Sequence, residues 1–182
     1  MSILKKFNEQ LSDKVVNNLK QIINSTFLGI HTTSVDINPI TNQYILSIGS
    51  LFYEIDNERY FINISNEWLE TDLYSDYYRL KVFFDRKPIG IEYKNNAVYN
   101  APVSIWYEGI QEIKKIEIYN FMDSEENEEV NYDSSLVFYF NDEKALLISA
   151  LNDITDRLVL KLSDVNHILR DVEGLNLRVE IS

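Results

Sequence analysis

Leu51-Phe52-Tyr53-Glu54-Ile55-Asp56-Asn57-Glu58-Arg59 and Leu136-Val137-Phe138-Tyr139-Phe140-Asn141-Asp142-Glu143-Lys144 carry one pattern half a chain apart: a strand-like run, an Asn/Asp pair, then an acid and a base. A strand-forming run that ends on Asn and Asp reads as one arm of a β-hairpin. Those side chains hydrogen-bond their own backbone and tolerate the left-handed region that tight turns use. Any two hairpins share that much, but here the correspondence runs on. After a slip of one residue, Ile64-Ser65 answers Ile148-Ser149 and Thr71-Asp72 answers Thr155-Asp156; after a further contraction, Leu80-Lys81-Val82 answers Leu160-Lys161-Leu162. Upstream, Val35-Asp36-Ile37 answers Ile116-Glu117-Ile118. We read an internal duplication over about 35–82 and 116–162 within a single domain, 1–182, a period too long for a solenoid of about 20–50 residues.

Working outward, strand-like segments rich in Ile, Val, Tyr and Phe fall at 44–48, 51–55, 60–64, 78–84, 89–93, 103–107, 113–121, 136–140, 145–148 and 158–162, with short polar turns between them. In Leu80, Val82 and Phe84 the apolar positions alternate with Arg79, Lys81 and Asp85, which describes a sheet with one wet face. Leu136–Phe140 is apolar on both faces and predicts a strand covered on both sides. At the N-terminus Phe7, Leu11, Val15, Leu19 and Ile22 recur at helical spacing opposite Glu9, Asp13, Asn17 and Lys20, predicting an amphipathic helix from about Leu4. Ser163 or Asp164 can cap a short second helix that Gly174 closes, before a last strand through Leu175, Leu177 and Val179. The fold class expected is β-dominated α+β: an N-terminal amphipathic helix, two related antiparallel β modules in a sandwich or curved sheet, and a short helix before the final strand.

Composition limits the chemistry. The 182 residues include no Cys, which excludes disulfides, thiolate nucleophiles and Cys-based zinc sites. Lys5 and Lys6 are followed by Asn8, Glu9 and Gln10 where a secretory leader needs an apolar run, and no stretch is apolar enough to cross a membrane, so a cytoplasmic protein is expected. The net charge of −12 repels phosphate backbones and anionic lipid, so neither nucleic acid nor membrane is the expected partner. The five glycines are isolated, so no Gly-rich phosphate loop can be built and no cofactor is expected. His31 and His167 lack metal-binding spacing, no nucleophile elbow is present, and no catalytic residue is assigned. With 29 acidic residues, carboxylate pairs that could hydrolyse glycosides arise by abundance alone.

Two features remain. Asp123 to Asp133 contains no basic residue and is expected as an exposed acidic loop. A calcium loop would want Gly where Glu128 stands, so docking of a basic partner is the functional reading, through Glu125, Glu126, Glu128, Glu129 and Asp133. Tyr77 and Tyr78 beside Asp72 and Asp76 suit a partner's Arg or Lys through charge pairing and cation–π contact. Trp68, Trp106 and Tyr107 form the alternative, an aromatic platform for a sugar or small ligand, against ordinary core packing. The expectation is a non-catalytic acidic binding protein, such as an intracellular inhibitor or immunity protein facing a basic protein partner.

Overall fold

Ser12 divides the N-terminal apolar stripe in two. The structure, a computed structural model, describes residues 4–71, 77–95, 97–99, 103–151 and 155–182, the side chains at 50, 93, 97–99 and 107–110 excepted. In it Lys5–Glu9 is a strand, β1, and helix α1 covers only Asp13–Gln21, with the Ser12 hydroxyl accepting from the Val15 amide. The helix expected from Leu4 is therefore corrected. Residues 5–9 reach a better arrangement by pairing in parallel with a later strand and resting Phe7 on the ring of Tyr77.

The chain continues as β2 (Thr26–Thr32), β3 (Val35–Asn38), β4 (Gln43–Leu46), β5 (Gly49–Ile55), β6 (Glu58–Leu69) and β7 (Tyr77–Asp85). After β8 (Glu92–Lys94) and β9 (Ala97–Tyr99) come β10 (Val103–Glu125), β11 (Glu128–Phe140), β12 (Lys144–Ala150), β13 (Leu158–Asp164), α2 (Val165–Asp171) and β14 (Asn176–Ile181). The molecule is thus β-dominated with two helices among the described residues. Its main sheet has twelve strands in the order β3-β4-β13-β12-β11-β10-β2-β5-β6-β7, with β1 added on β11 and β14 on β10.

β10 holds this sheet together. Val103–Glu112 pairs with β2, and Ile113–Glu125 pairs with β11, so the segments 103–107 and 113–121 expected as separate strands are one. β2 runs close to β10 at Gly29, where a Cβ would run into the Ile105 carbonyl oxygen. At the far end β7 returns against β11 without a hydrogen-bonded ladder among the described residues, and the sheet folds over on itself.

Between the folded halves lies the main core, with Phe27, Ile30, Leu51, Ile62, Ile64, Ile116, Leu136, Phe138 and Leu146, and α1 turns Val16 and Leu19 into it. A second cluster forms outside β10–β12, where Ile168 and Val172 at α2 cover Tyr119, Val137, Tyr139 and Leu147. β11 accordingly sends Leu136, Phe138 and Phe140 one way and Val137 and Tyr139 the other, the two-sided burial its sequence predicts. Each such side chain contributes roughly 1.5–3 kcal/mol of apolar burial.

Both matched stretches form hairpins. Asp56 and Asn57, at φ 51° and 63°, close β5 and β6 with Ile55 opposite Glu58, the geometry of a two-residue turn with both central residues left-handed. The second turn is longer, with Glu143 at φ 62° and Tyr139 opposite Ala145. Leu51 therefore faces Ile62 while Leu136 faces Ile148, a shift of two residues relative to the sequence match. A shift of two preserves the inward face where a shift of one would invert it. Val35–Ile37 and Ile116–Ile118, also matched in sequence, occupy unlike places: the first lies on an edge strand, the second in the middle of the longest.

Candidate partner-binding groove

The acidic run is a hairpin, not a loop. Asp123 to Asp133 spans the end of β10, a turn with Glu126 at φ 47°, and the start of β11. Three of its carboxylates are neutralised from distant parts of the chain. Asp133, 0% exposed, accepts from the Arg178 Nε at 2.7 Å and Nη2 at 2.5 Å and from the Leu11 amide at 2.7 Å. A bulge aims it inward: Tyr119 and Asn120 of β10 face Ser135 and Asp133, which leaves Ser134 as an extra residue. Glu128, 1% exposed, accepts from the Thr71 hydroxyl and pairs with Lys5 at 3.5 Å. Glu129 pairs with Lys6 at 3.0 Å. Asp133 and Glu128 therefore brace the fold and are corrected as partner contacts. Glu125 and Glu126 stay exposed at the tip, with no ion pair among the described residues.

The tyrosines move inward as well. Tyr77 and Tyr78 are buried with Val130 and Tyr132 where β7 meets β11, so neither offers an open face, and the partner role assigned to them is corrected. β7 is covered on that side because Tyr78 sets its ring edge-on to Tyr132 at 6.0 Å. Asp72 and Asp76 lie outside the described residues, as does the side chain of Tyr107. Trp68 packs against the same buried cluster, whereas Trp106 is 59% exposed, standing edge-on to Phe52 at 4.8 Å and to His31 at 6.0 Å.

What these elements build together is a groove of about 410 Å³ at the junction of β7, β10, β11, β12 and the end of α2. Tyr78, Phe121 and Tyr132 are among its lining residues, Phe121 alone of the three being exposed, with the Phe121 and Tyr132 rings 5.4 Å apart at 35°. Ser134 and Ser149 line one wall, and Asp123, Asp171 and Glu173 supply carboxylates. Asp171 is already held by Lys161 at 2.6 Å. Asp123 and Glu173 make no ion pair among the described residues, and no basic side chain lines the groove among them. An exposed aromatic ring beside carboxylates that make no ion pair is matched to a cation carrying an apolar stem. Sequence reading touched Asp123 only as part of the charge run and missed Phe121 and Glu173, which come together through pairings no local pattern reveals.

Two other polar clusters are internal. The His31 Nδ1 lies 2.7 Å from the Ser104 hydroxyl, and its ring stacks on Phe52 at 4.4 Å. Burial, reinforced by the nearby Arg59 charge, lowers its pKa to about 4 and keeps it neutral. A Ser/His/Asp set needs a carboxylate to orient the imidazole, and none hydrogen-bonds His31 among the described residues. Glu117 accepts from the Lys115 Nζ and the Tyr119 hydroxyl, each at 2.7 Å, and from the Tyr139 hydroxyl. Burial opposes its charge, but these donors outweigh it and hold the carboxyl below its ordinary value. The same burial pushes Tyr119 up to about 12 and Tyr139 higher still, so both phenols remain donors.

Among the described residues no group of three or more His, Asp or Glu is placed to hold a metal, and no helix is long and apolar enough to cross a membrane. No protein-family model matches the chain, and no curated protein or solved structure matches it.

Proposed function

We propose that this chain is a non-catalytic binding protein of the cytoplasm that captures a protein with a basic surface, as an inhibitor or immunity protein does. The observation that carries the reading is the groove, lined by the exposed Phe121 and by Asp123 and Glu173, neither of which makes an ion pair among the described residues. The net charge of −12 adds a long-range field that draws a basic partner in and aligns it before contact. We take the two hairpin-centred β modules as copies of one ancestral unit that supply the scaffold.

The test is capture of partners at low ionic strength by the immobilised chain, followed by a salt gradient. A basic protein retained in stoichiometric amount and released by salt is the expected result. Retention of no protein, or of a partner indifferent to salt, overturns the reading. Trp106 motivates a second reading, because its 59% exposed indole could carry a sugar ring. Tryptophan fluorescence that shifts on titration with an oligosaccharide and not with a basic peptide would favour it.

A further inference from the structure

A smaller pocket of about 280 Å³ opens between α1 and the strands β5, β6 and β7, lined from the helix by Asn18 and Gln21 and from the strands by Tyr53, Ile55, Tyr60 and Phe84. Asn18 and Gln21 stand three residues apart on α1 and so share one face of it. Tyr53 and Ile55 share a face of β5, with Tyr60 directly opposite Tyr53 on β6. Tyr53 is 5% exposed, yet neither its hydroxyl nor the side-chain amides of Asn18 and Gln21 make a hydrogen bond among the described residues. Buried polar groups in folded proteins are ordinarily hydrogen-bonded, so this phenol calls for a partner that reaches it through the pocket. Burial pushes its pKa up to about 12, so it keeps its proton and can both donate and accept. Tyr60 is differently placed: its hydroxyl donates to Glu58 at 3.0 Å, and Arg86 lies 4.0 Å over its ring. Arg86 and Glu58 are spent on one another at 2.6 Å, and no charged side chain lines the pocket among the described residues.

We infer that this pocket binds one neutral sugar ring, its hydroxyls on the Tyr53 hydroxyl and the Asn18 and Gln21 amides and its C–H face on Ile55 and Phe84. The site is separate from the acidic groove and does not depend on a basic partner. Three features set the class of ligand. A phenol and two carboxamides each donate and accept, which is what the hydroxyls of a sugar also do. A charged ligand would give up its water and find no counter-charge, so the ring is neutral. The volume lies just under the roughly 300 Å³ at which pockets for drug-sized ligands begin, which admits one ring and not a chain of them. The exposed indole of Trp106 is not among the lining residues.

Saturation-transfer NMR of the full chain with glucose, galactose, mannose and N-acetylglucosamine tests this, with glucuronate and glucosamine as charged counterparts. At least one of the four neutral sugars should bind saturably, with a dissociation constant on the order of 1 mM, and neither charged sugar should bind more tightly. Tyr53→Phe and Asn18→Ala should each weaken that sugar about fivefold. Neither change should lower the melting temperature, because the Tyr53 hydroxyl bonds no described residue and alanine is the better helix former at position 18. Trp106→Leu should leave the affinity as it is. Absence of saturable binding by all four neutral sugars, tighter binding of a charged one, or full affinity in both pocket variants overturns the inference. Loss of binding in Trp106→Leu with none in Tyr53→Phe assigns the sugar to the exposed indole and overturns it as well.

Discussion

The inward-turned and the outward-turned carboxylates of the β10–β11 hairpin share one acidic run and live in opposite environments. Asp133 is sealed against Arg178 and the Leu11 amide, and Glu128, directly across from Glu125, is sealed against Thr71 and Lys5, whereas Glu125 and Glu126 face water. A carboxylate removed from water is tolerated only when donors replace the water it has lost. The inward-turned carboxylates meet that condition with cations from β1, which pairs with β11, and from β14, which pairs with β10 and reaches Asp133 through Arg178. A run of like charge is thus no single surface. The carboxylates turned inward stabilise the fold, and only those turned outward are left to act on a partner.

The sharpest way to break this contrast is Asp133→Ala. It leaves the half-buried Arg178 charge and the Leu11 amide without their acceptor, and a loss of about 3 kcal/mol is expected in denaturant unfolding. Replacing both partners, Asp133→Leu with Arg178→Met, should recover most of that loss, because neither charge is then left without its counterpart. Recovery by the double variant would show that Asp133 and Arg178 matter as a satisfied pair; no recovery would mean that the Leu11 amide contact dominates.

A second test concerns a buried group that resists charge. The unfolded His31 imidazole takes a proton near 6.5, while the folded one waits until about 4. Between those values the unfolded chain binds more protons, so stability is full above 6.5 and falls as pH drops toward 4, by up to about 3 kcal/mol. His31→Phe keeps an aromatic ring against Phe52 and should flatten the stability profile in that window. An unchanged slope would assign the acid sensitivity to other groups.

How much of this was legible follows the range of the interactions involved. The Asp56-Asn57 turn, the two-faced Leu136–Phe140 strand and the short helix α2 with Gly174 beyond it were readable because each is decided within a few residues, although Asp164 precedes α2 without the side-chain cap hydrogen bond expected of it. The early end of the N-terminal stripe had a local signal too: Ser12 before Asp13 is an ordinary helix start, overruled in reading by the regular spacing of Leu4, Phe7 and Leu11. β2 was missed because Gly29 and His31 interrupt its apolar pattern, and what keeps it a strand is its close approach to β10. The inward turn of Asp133 depends on a one-residue bulge and on Arg178. Nothing near Asp133 in sequence announces either. The groove was least legible of all, since β7, β10, β11, β12 and the end of α2 each contribute to it and none is diagnostic alone.

The smallest effect expected in equilibrium stability belongs to the tip. Glu125→Gln with Glu126→Gln removes two exposed charges that no described residue neutralises, and surface changes of this kind shift folding free energy by less than about 0.5 kcal/mol. Their consequence should appear in kinetics. Exposed rim charges act while the partners are still apart, so their removal lowers the association rate and its salt dependence, whereas contacts sealed in a groove govern dissociation. Measured against the captured basic partner, the tip variant should slow association several-fold at low ionic strength and leave dissociation unchanged, with the difference vanishing once salt screens beyond about 10 Å. Faster dissociation in the tip variant would mean that Glu125 and Glu126 touch the bound partner directly, and the boundary between steering and holding would then move from the groove out to the end of the hairpin.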